Sequence, residues 1–169
     1  SARVVLMPSL TFRFASHYVR VKQMIREGAI GPPTSVLYRE LIPASDLASQ
    51  WPADSWMWQI EKSGGPLFTL SVWSIDLIRW LFDTEITAVE PVVNYARLAK
   101  TGGTLGYTAY VALRLANGTV GCLQYSGSVN QAAAGSTLEV IGASTSTIRA
   151  ENNDRVTLLG EAPAITTWD

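Results

Sequence analysis

The sequence predicts an α+β domain: a mostly antiparallel open sheet with helices packed on one face. Three features of the chain lead there. Its segments run strand, helix, strand, loop and helix, then give way to a run of strands, with no alternating βαβ pattern. Asn117-Gly118 separates two strand-like segments, the strongest hairpin signal in the chain. Gly64-Gly65-Pro66 opens an apolar helix, Leu67 to about Phe82, whose few polar groups share one stripe.

Taken in order, Arg3 to Phe14 reads as a strand with Pro8 at an edge or bend. Ser16 fits the N-cap of a helix from His17 to Glu27, with Val21, Met24 and Ile25 on one face. Gly28 fits the position just past that helix, and Ala29-Ile30-Gly31-Pro32-Pro33 cannot continue it. Thr34 to Ile42 is a second strand. Pro43 to Ser63 holds Trp51, Trp56 and Trp58 without clear periodicity and reads as a long loop. Its indoles suit either a sugar-binding cleft or anchorage of the loop on the core. After the long helix, Asp83-Thr84-Glu85 turns the chain into strands over Ile86–Leu98, Thr108–Leu115, Val120–Ser126, Thr137–Ile141, Thr147–Ala150 and Arg155–Leu159. Gly102-Gly103 and Ala132-Ala133-Ala134-Gly135 are loops. One domain over residues 3–160 accounts for the chain, which opens without Met and reads as a fragment.

Composition narrows the function. Apolar residues make up 47% and charged residues 16%, a charge-poor balance that implies a second covered surface such as a partner domain or subunit. Net charge is −1 with no basic run, which argues against nucleic acid and anionic membranes as partners. No apolar run is long enough to cross a bilayer, and cytoplasm is the expected compartment. The single cysteine, Cys122, excludes an internal disulfide. One histidine and one distant cysteine offer no metal-ligand spacing, so no metal is expected.

On the long helix, Thr69, Trp73, Asp76 and Trp80 fall within about 60° of one another at roughly 100° per residue. A carboxylate on so apolar a helix is a cap or buried contact, or it serves a cleft. The segment resembles the C-terminal domain of the glucose–fructose oxidoreductase/inositol dehydrogenase/MocA (Gfo/Idh/MocA) family of NAD(P)-dependent oxidoreductases. That family carries Gly-Gly, three or four residues, then Asp-x-Gly-x-His-x-x-Asp. Here Gly64, Gly65 and Asp76 match, while Thr69 stands for the first Asp, Ser71 for the Gly and Trp73 for the catalytic His. Arg13, Phe14, Tyr18, Lys22, Ile25, Gly28, Ile30 and Gly31 also match, in order, the family's opening signature.

The resemblance covers about Arg3 to Leu159 and implies the substrate-side and oligomerisation half of a dehydrogenase. NAD or NADP would sit on a separate N-terminal Rossmann domain, and no Gly-x-Gly-x-x-Gly occurs here to bind it, so no cofactor is expected on this fragment. It also implies a sugar, polyol or related hydroxy compound as small-molecule substrate, and a homo-oligomer formed through the open sheet face. Candidate substrate-side residues are Thr69, Trp73, Arg13 and Trp58, with Asp76 and His17 as candidate catalytic groups. An indole N–H only donates, so Trp73 cannot take a substrate proton as histidine does. The proton would then pass to the catalytic Lys that the family carries on its Rossmann domain or to another residue, and His17 is either a replacement base or a surface or capping histidine. Arg13 and Lys22 suit an anionic or hydroxylated ligand, or pairing with Glu27 or Glu40. The rival readings are a non-catalytic ligand-binding or scaffolding relative on the same fold, and a free-standing dimerisation module.

Overall fold

Side-chain alternation along the strands decides which side of the sheet is covered. In the computed structural model, which describes residues 4–5, 7–98, 104–152 and 154–160 and the backbone of 165–168, β1 spans Pro33–Pro43. It buries Val36 and Tyr38 and leaves Leu37 and Arg39 exposed. Beyond it come β2 (Ile86–Leu98), β3 (Thr104–Leu115), β4 (Val120–Val129), β5 (Gly135–Gly142), β6 (Thr147–Glu151), β7 (Arg155–Leu159) and β8 (Ile165–Trp168). They form one sheet in the order β2-β3-β4-β1-β5-β6-β7-β8. β1 lies parallel to β4, and every other neighbouring pair is antiparallel. The expected mostly antiparallel α+β sheet is present.

The covered face carries the helices. α1 (Ser16–Arg26) buries Tyr18, Val21 and Met24, and α5 (Val72–Phe82) buries Leu77, Ile78 and Leu81. These meet Val36, Tyr38, Leu123, Tyr125, Leu138, Val140 and Ile148 in one apolar core. At about 25 cal/mol per Å² of apolar surface, this burial is the main force holding helices to sheet. α1 begins at Ser16 itself, with Ala15 capping and no side-chain cap bond, so the N-cap falls one residue before the expected one. Its end is as expected: Gly28 takes φ 76°, and the N–H groups of Gly28 and Ala29 donate to Ile25 O and Met24 O.

The sequence reading fails at four places. Arg3 to Phe14 is not a strand: its described residues pair with no neighbour, and Thr11–Phe14 is a 3₁₀ turn. Val4, Val5 and Met7 stay exposed, so this apolar run has no strand to join, and Pro8 has no N–H for a ladder. The tryptophan segment is not an open loop but three short helical pieces: α2 (Ala44–Gln50), a 3₁₀ turn at Trp56–Trp58 and α3 (Ile60–Ser63). The long helix divides at Ser71 into α4 (Pro66–Leu70) and α5, although Ser71 keeps helical angles and Ile75 N–H still reaches Ser71 O. β8 was not foreseen. Gly102-Gly103 lies outside the described residues.

Two turns depend on glycine. Gly64 closes α3 at φ 75° and Gly65 opens α4 at φ 88°, both in the left-handed region that side chains resist. At the β3–β4 hairpin Gly118 takes φ 89°, and Asn117 Oδ1 accepts from Thr119 N–H, as the Asn-Gly signal predicts.

Candidate functional site

The α4–α5 pair presents three stripes. Ser74, Leu77, Ile78 and Leu81 face the core. Phe68, Ser71, Ile75 and Arg79 line a hollow of about 450 Å³ against Val89, Val93, Tyr95 and Val111 of the β2–β3 hairpin, with almost wholly apolar walls. Thr69, Trp73 and Asp76 form the third stripe, which holds most of the candidate site.

Asp76 is buried, and the Arg13 guanidinium grips it with two bonds, Nε donating to Oδ2 at 2.6 Å and Nη2 donating to Oδ1. Two candidate residues 63 positions apart are thereby brought together. Hydrogen bonding to Asp76 also raises the Arg13 pKa further above its ordinary value. Arg13 therefore pairs with neither Glu27 nor Glu40. Lys22 takes another route again: buried at 5% exposure, it donates to Asp83 Oδ1 at 2.6 Å and to Trp80 O, with its ammonium 4.6 Å from the Trp80 ring centre. That is a helix-end lock rather than a ligand contact.

The other candidates divide. Thr69 donates to Gly65 O at 3.2 Å and lies 3.4 Å from Ser63 O, so its hydroxyl is occupied by its own helix start. Trp73 is half-buried, and its indole N–H has no partner among the described residues. Trp58 leaves the cleft: it is 5% exposed, donates to Pro52 O at 2.9 Å and stands edge-on to Trp51 at 6.5 Å. A buried indole whose only donor is used anchors its loop and offers a ligand nothing. His17 is buried against the Tyr18 ring, with centroids 3.9 Å apart. Its Nε2 has no partner among the described residues, and burial lowers its pKa, opposed by the charge of Asp154 on the β6–β7 side. The structure does not draw His17 into the Arg13–Asp76 pair.

Sequence reasoning missed a second polar cluster. Ser74 is fully buried and shares a hydrogen bond with Tyr125 Oη of β4, fastening α5 to the sheet. Beside Tyr125 in register stands Glu40 of β1, on the covered face. Burial pushes its carboxyl up to about 7, and the Tyr38 hydroxyl only partly offsets this. The available signal was parity: Val36, Tyr38 and Glu40 alternate with Leu37 and Arg39, which places a carboxylate in the inward set.

The model of the GFO/IDH/MocA C-terminal domain matches residues 18–148. The chain belongs to this family. Among solved structures, levoglucosan dehydrogenase in complex with NADH and levoglucosan aligns over 98% of this chain and 47% of its own, at 23% identity and TM-score 0.77. An oxidoreductase from Thermotoga maritima aligns over 98% and 48%, at 19% identity and TM-score 0.74. An oxidoreductase domain protein from Kribbella flavida aligns over 94% and 46%, at 14% identity and TM-score 0.72. At these identities the likeness establishes the fold. The chain spans about half the length of the structures it matches. A search of the curated proteins finds no match. As a GFO/IDH/MocA C-terminal domain, the chain presents Trp73 and Asp76 on α5. Among the described residues no group of three or more metal-ligating side chains occurs, and no helix is long and apolar enough to cross a membrane.

Proposed function

We propose that this domain is the substrate-side and oligomerisation half of an NAD(P)-dependent oxidoreductase acting on a sugar, polyol or related hydroxy compound. The observation that carries the reading is the third stripe of α4–α5, Thr69, Trp73 and Asp76, in a GFO/IDH/MocA domain whose fold is shared by levoglucosan dehydrogenase in complex with NADH and levoglucosan. NAD or NADP would be held by a Rossmann domain outside this chain. Within the chain, Arg13 orients Asp76 by a two-pronged grip, and the indole N–H of Trp73 is free to donate to a substrate oxygen. The Trp73 indole has no acceptor for a substrate proton, and both Asp76 oxygens are engaged by Arg13.

That same observation supports a second reading, a non-catalytic ligand-binding relative, because the family helix has lost its usual base. Mixing the full-length protein with NAD⁺ or NADP⁺ and a panel of sugars, polyols and hydroxy acids separates the two. Nicotinamide reduction identifies the dehydrogenase, and nucleotide binding without reduction identifies the non-catalytic relative. Absence of nucleotide binding overturns both.

A further inference from the structure

At the C-terminal end of α5 a hollow of about 370 Å³ opens between Arg13, Arg79, Trp80, Asp83, Thr84 and Glu85. Its carboxylates are already taken. Asp83 accepts from Lys22 Nζ at 2.6 Å and from Arg26 Nη2 at 3.1 Å, and Glu85 accepts from Arg79 Nε and Nη2, both at 2.7 Å. Its donors are not. Arg13 spends Nε and Nη2 on Asp76, and Arg79 spends the same two nitrogens on Glu85. Each guanidinium therefore keeps Nη1 without a partner among the described residues. The Trp80 indole N–H and the Thr84 hydroxyl are without one as well. Four donor side chains thus line a hollow in which every carboxylate oxygen already holds a cation. Around it stand four cations, Arg13, Lys22, Arg26 and Arg79, against three carboxylates, Asp76, Asp83 and Glu85. That is a local positive surplus in a chain whose net charge is −1. The two guanidinia stand close enough for the charge of Arg79 to oppose the upward pull of Asp76 on Arg13.

We propose that this hollow binds the carboxylate or phosphate of a small hydroxylated molecule, with Nη1 of Arg13 and Nη1 of Arg79 donating to the oxyanion. A lining of donors with surplus positive charge selects a group that only accepts, and guanidinium N–H groups suit the oxygens of both anions. The hollow is larger than a bare oxyanion fills and falls within the roughly 300–1,000 Å³ of small-molecule sites. Trp80 supplies a wall for the remainder of the ligand. Lys22 lies over its ring on the α1 side, 4.6 Å from the ring centre, and the indole also lines this hollow. The indole N–H and the Thr84 hydroxyl are placed to meet ligand hydroxyls. Because Arg13 holds Asp76 with its other nitrogens, an anion bound here bears on the candidate site through a single guanidinium. The site stands whether or not the parent protein oxidises a sugar.

Calorimetric titration of the full-length protein with glucose 6-phosphate, glucuronate, inorganic phosphate and glucose is the test. Glucose 6-phosphate or glucuronate should bind about tenfold or more tightly than glucose, and the tighter of the two names the oxyanion. Its affinity should fall as ionic strength rises. Arg79→Gln removes one guanidinium from an exposed ion pair, so it should leave the melting temperature nearly unchanged. The same substitution should weaken binding by about tenfold or more. Glu85→Gln frees that guanidinium from its acid and should strengthen binding several-fold. Neither substitution touches a nucleotide site elsewhere in the parent, so opposite responses assign the ligand to this hollow. Failure of both acids to bind more tightly than glucose overturns the proposal, as does binding that neither substitution moves. Inorganic phosphate bound as tightly as the better acid overturns the assignment to a larger hydroxylated molecule.

Discussion

At the scale of single residues, Glu40 and His17 set opposing pH dependences on stability. Burial raises Glu40 from 4.5 to about 7 in the folded domain. The folded state thus holds a proton that the unfolded chain releases above about 4.5. Its contribution is complete below that value and is lost as pH rises through about 7. At about 1.36 kcal/mol per unit, the loss is on the order of 3 kcal/mol. His17 runs the other way, because burial lowers its folded pKa and protonation below its ordinary 6.5 favours the unfolded chain. Its stabilising share is present above that pH and fades as pH falls. Melting temperature measured from pH 5 to 8 for the parent chain and Glu40→Gln separates the two, since His17 is common to both. The parent should lose stability relative to Glu40→Gln as pH rises across that interval. Parallel curves would mean that Glu40 is ionised and solvated in the folded domain.

At the scale of elements, the Arg13–Asp76 pair fastens the 3₁₀ turn to α5, two segments with no sheet pairing between them. The bond is geometrically good, but Arg13 is 39% exposed, so water screens it. A double-mutant cycle with Arg13→Ala and Asp76→Asn should give a coupling of about 1 kcal/mol in thermal unfolding. Strictly additive losses would show that the turn is held by its apolar contacts alone. The elements themselves were legible where a pattern is local. Ile86–Leu98 and Arg155–Leu159 are strands with the expected bounds, and Asn117-Gly118 makes the expected hairpin. Elements that depend on a partner were not legible. Val4, Val5 and Met7 have strand chemistry but no neighbour, and Trp58 belongs to a folded segment only because Pro52 O and Trp51 O receive its N–H. The candidate site divides the same way. Its helix could be read from Gly64-Gly65 and the polar stripe, whereas the Glu40 cluster needs the β1–β4 register, which brings together residues 40 and 125.

At the scale of the molecule, the sheet has one face covered by helices and one left open. Leu37, Tyr110, Val120 and Ile141 show 39%, 50%, 44% and 43% exposure on that open side. Around them lie Arg39, Glu139 and Arg149, with Arg149 Nε donating to Glu139 Oε1 at 2.6 Å. A patch of exposed aliphatic and aromatic side chains at the middle of a wide sheet is costly to leave in water, and the low overall charge of the chain points the same way. Self-association through this face is therefore expected of the domain alone. Sedimentation should show concentration-dependent association, and Leu37→Lys should shift it to monomer by placing a charge at the centre of the contact. Because Leu37 already stands partly in water and points away from the core, the substitution should move the melting temperature of the monomer little. A parent chain that stays monomeric at high concentration would remove the face from consideration. Association unchanged by Leu37→Lys would instead move the contact to the apolar hollow beside Phe68 and Ile75, where Ile75→Lys is the corresponding probe.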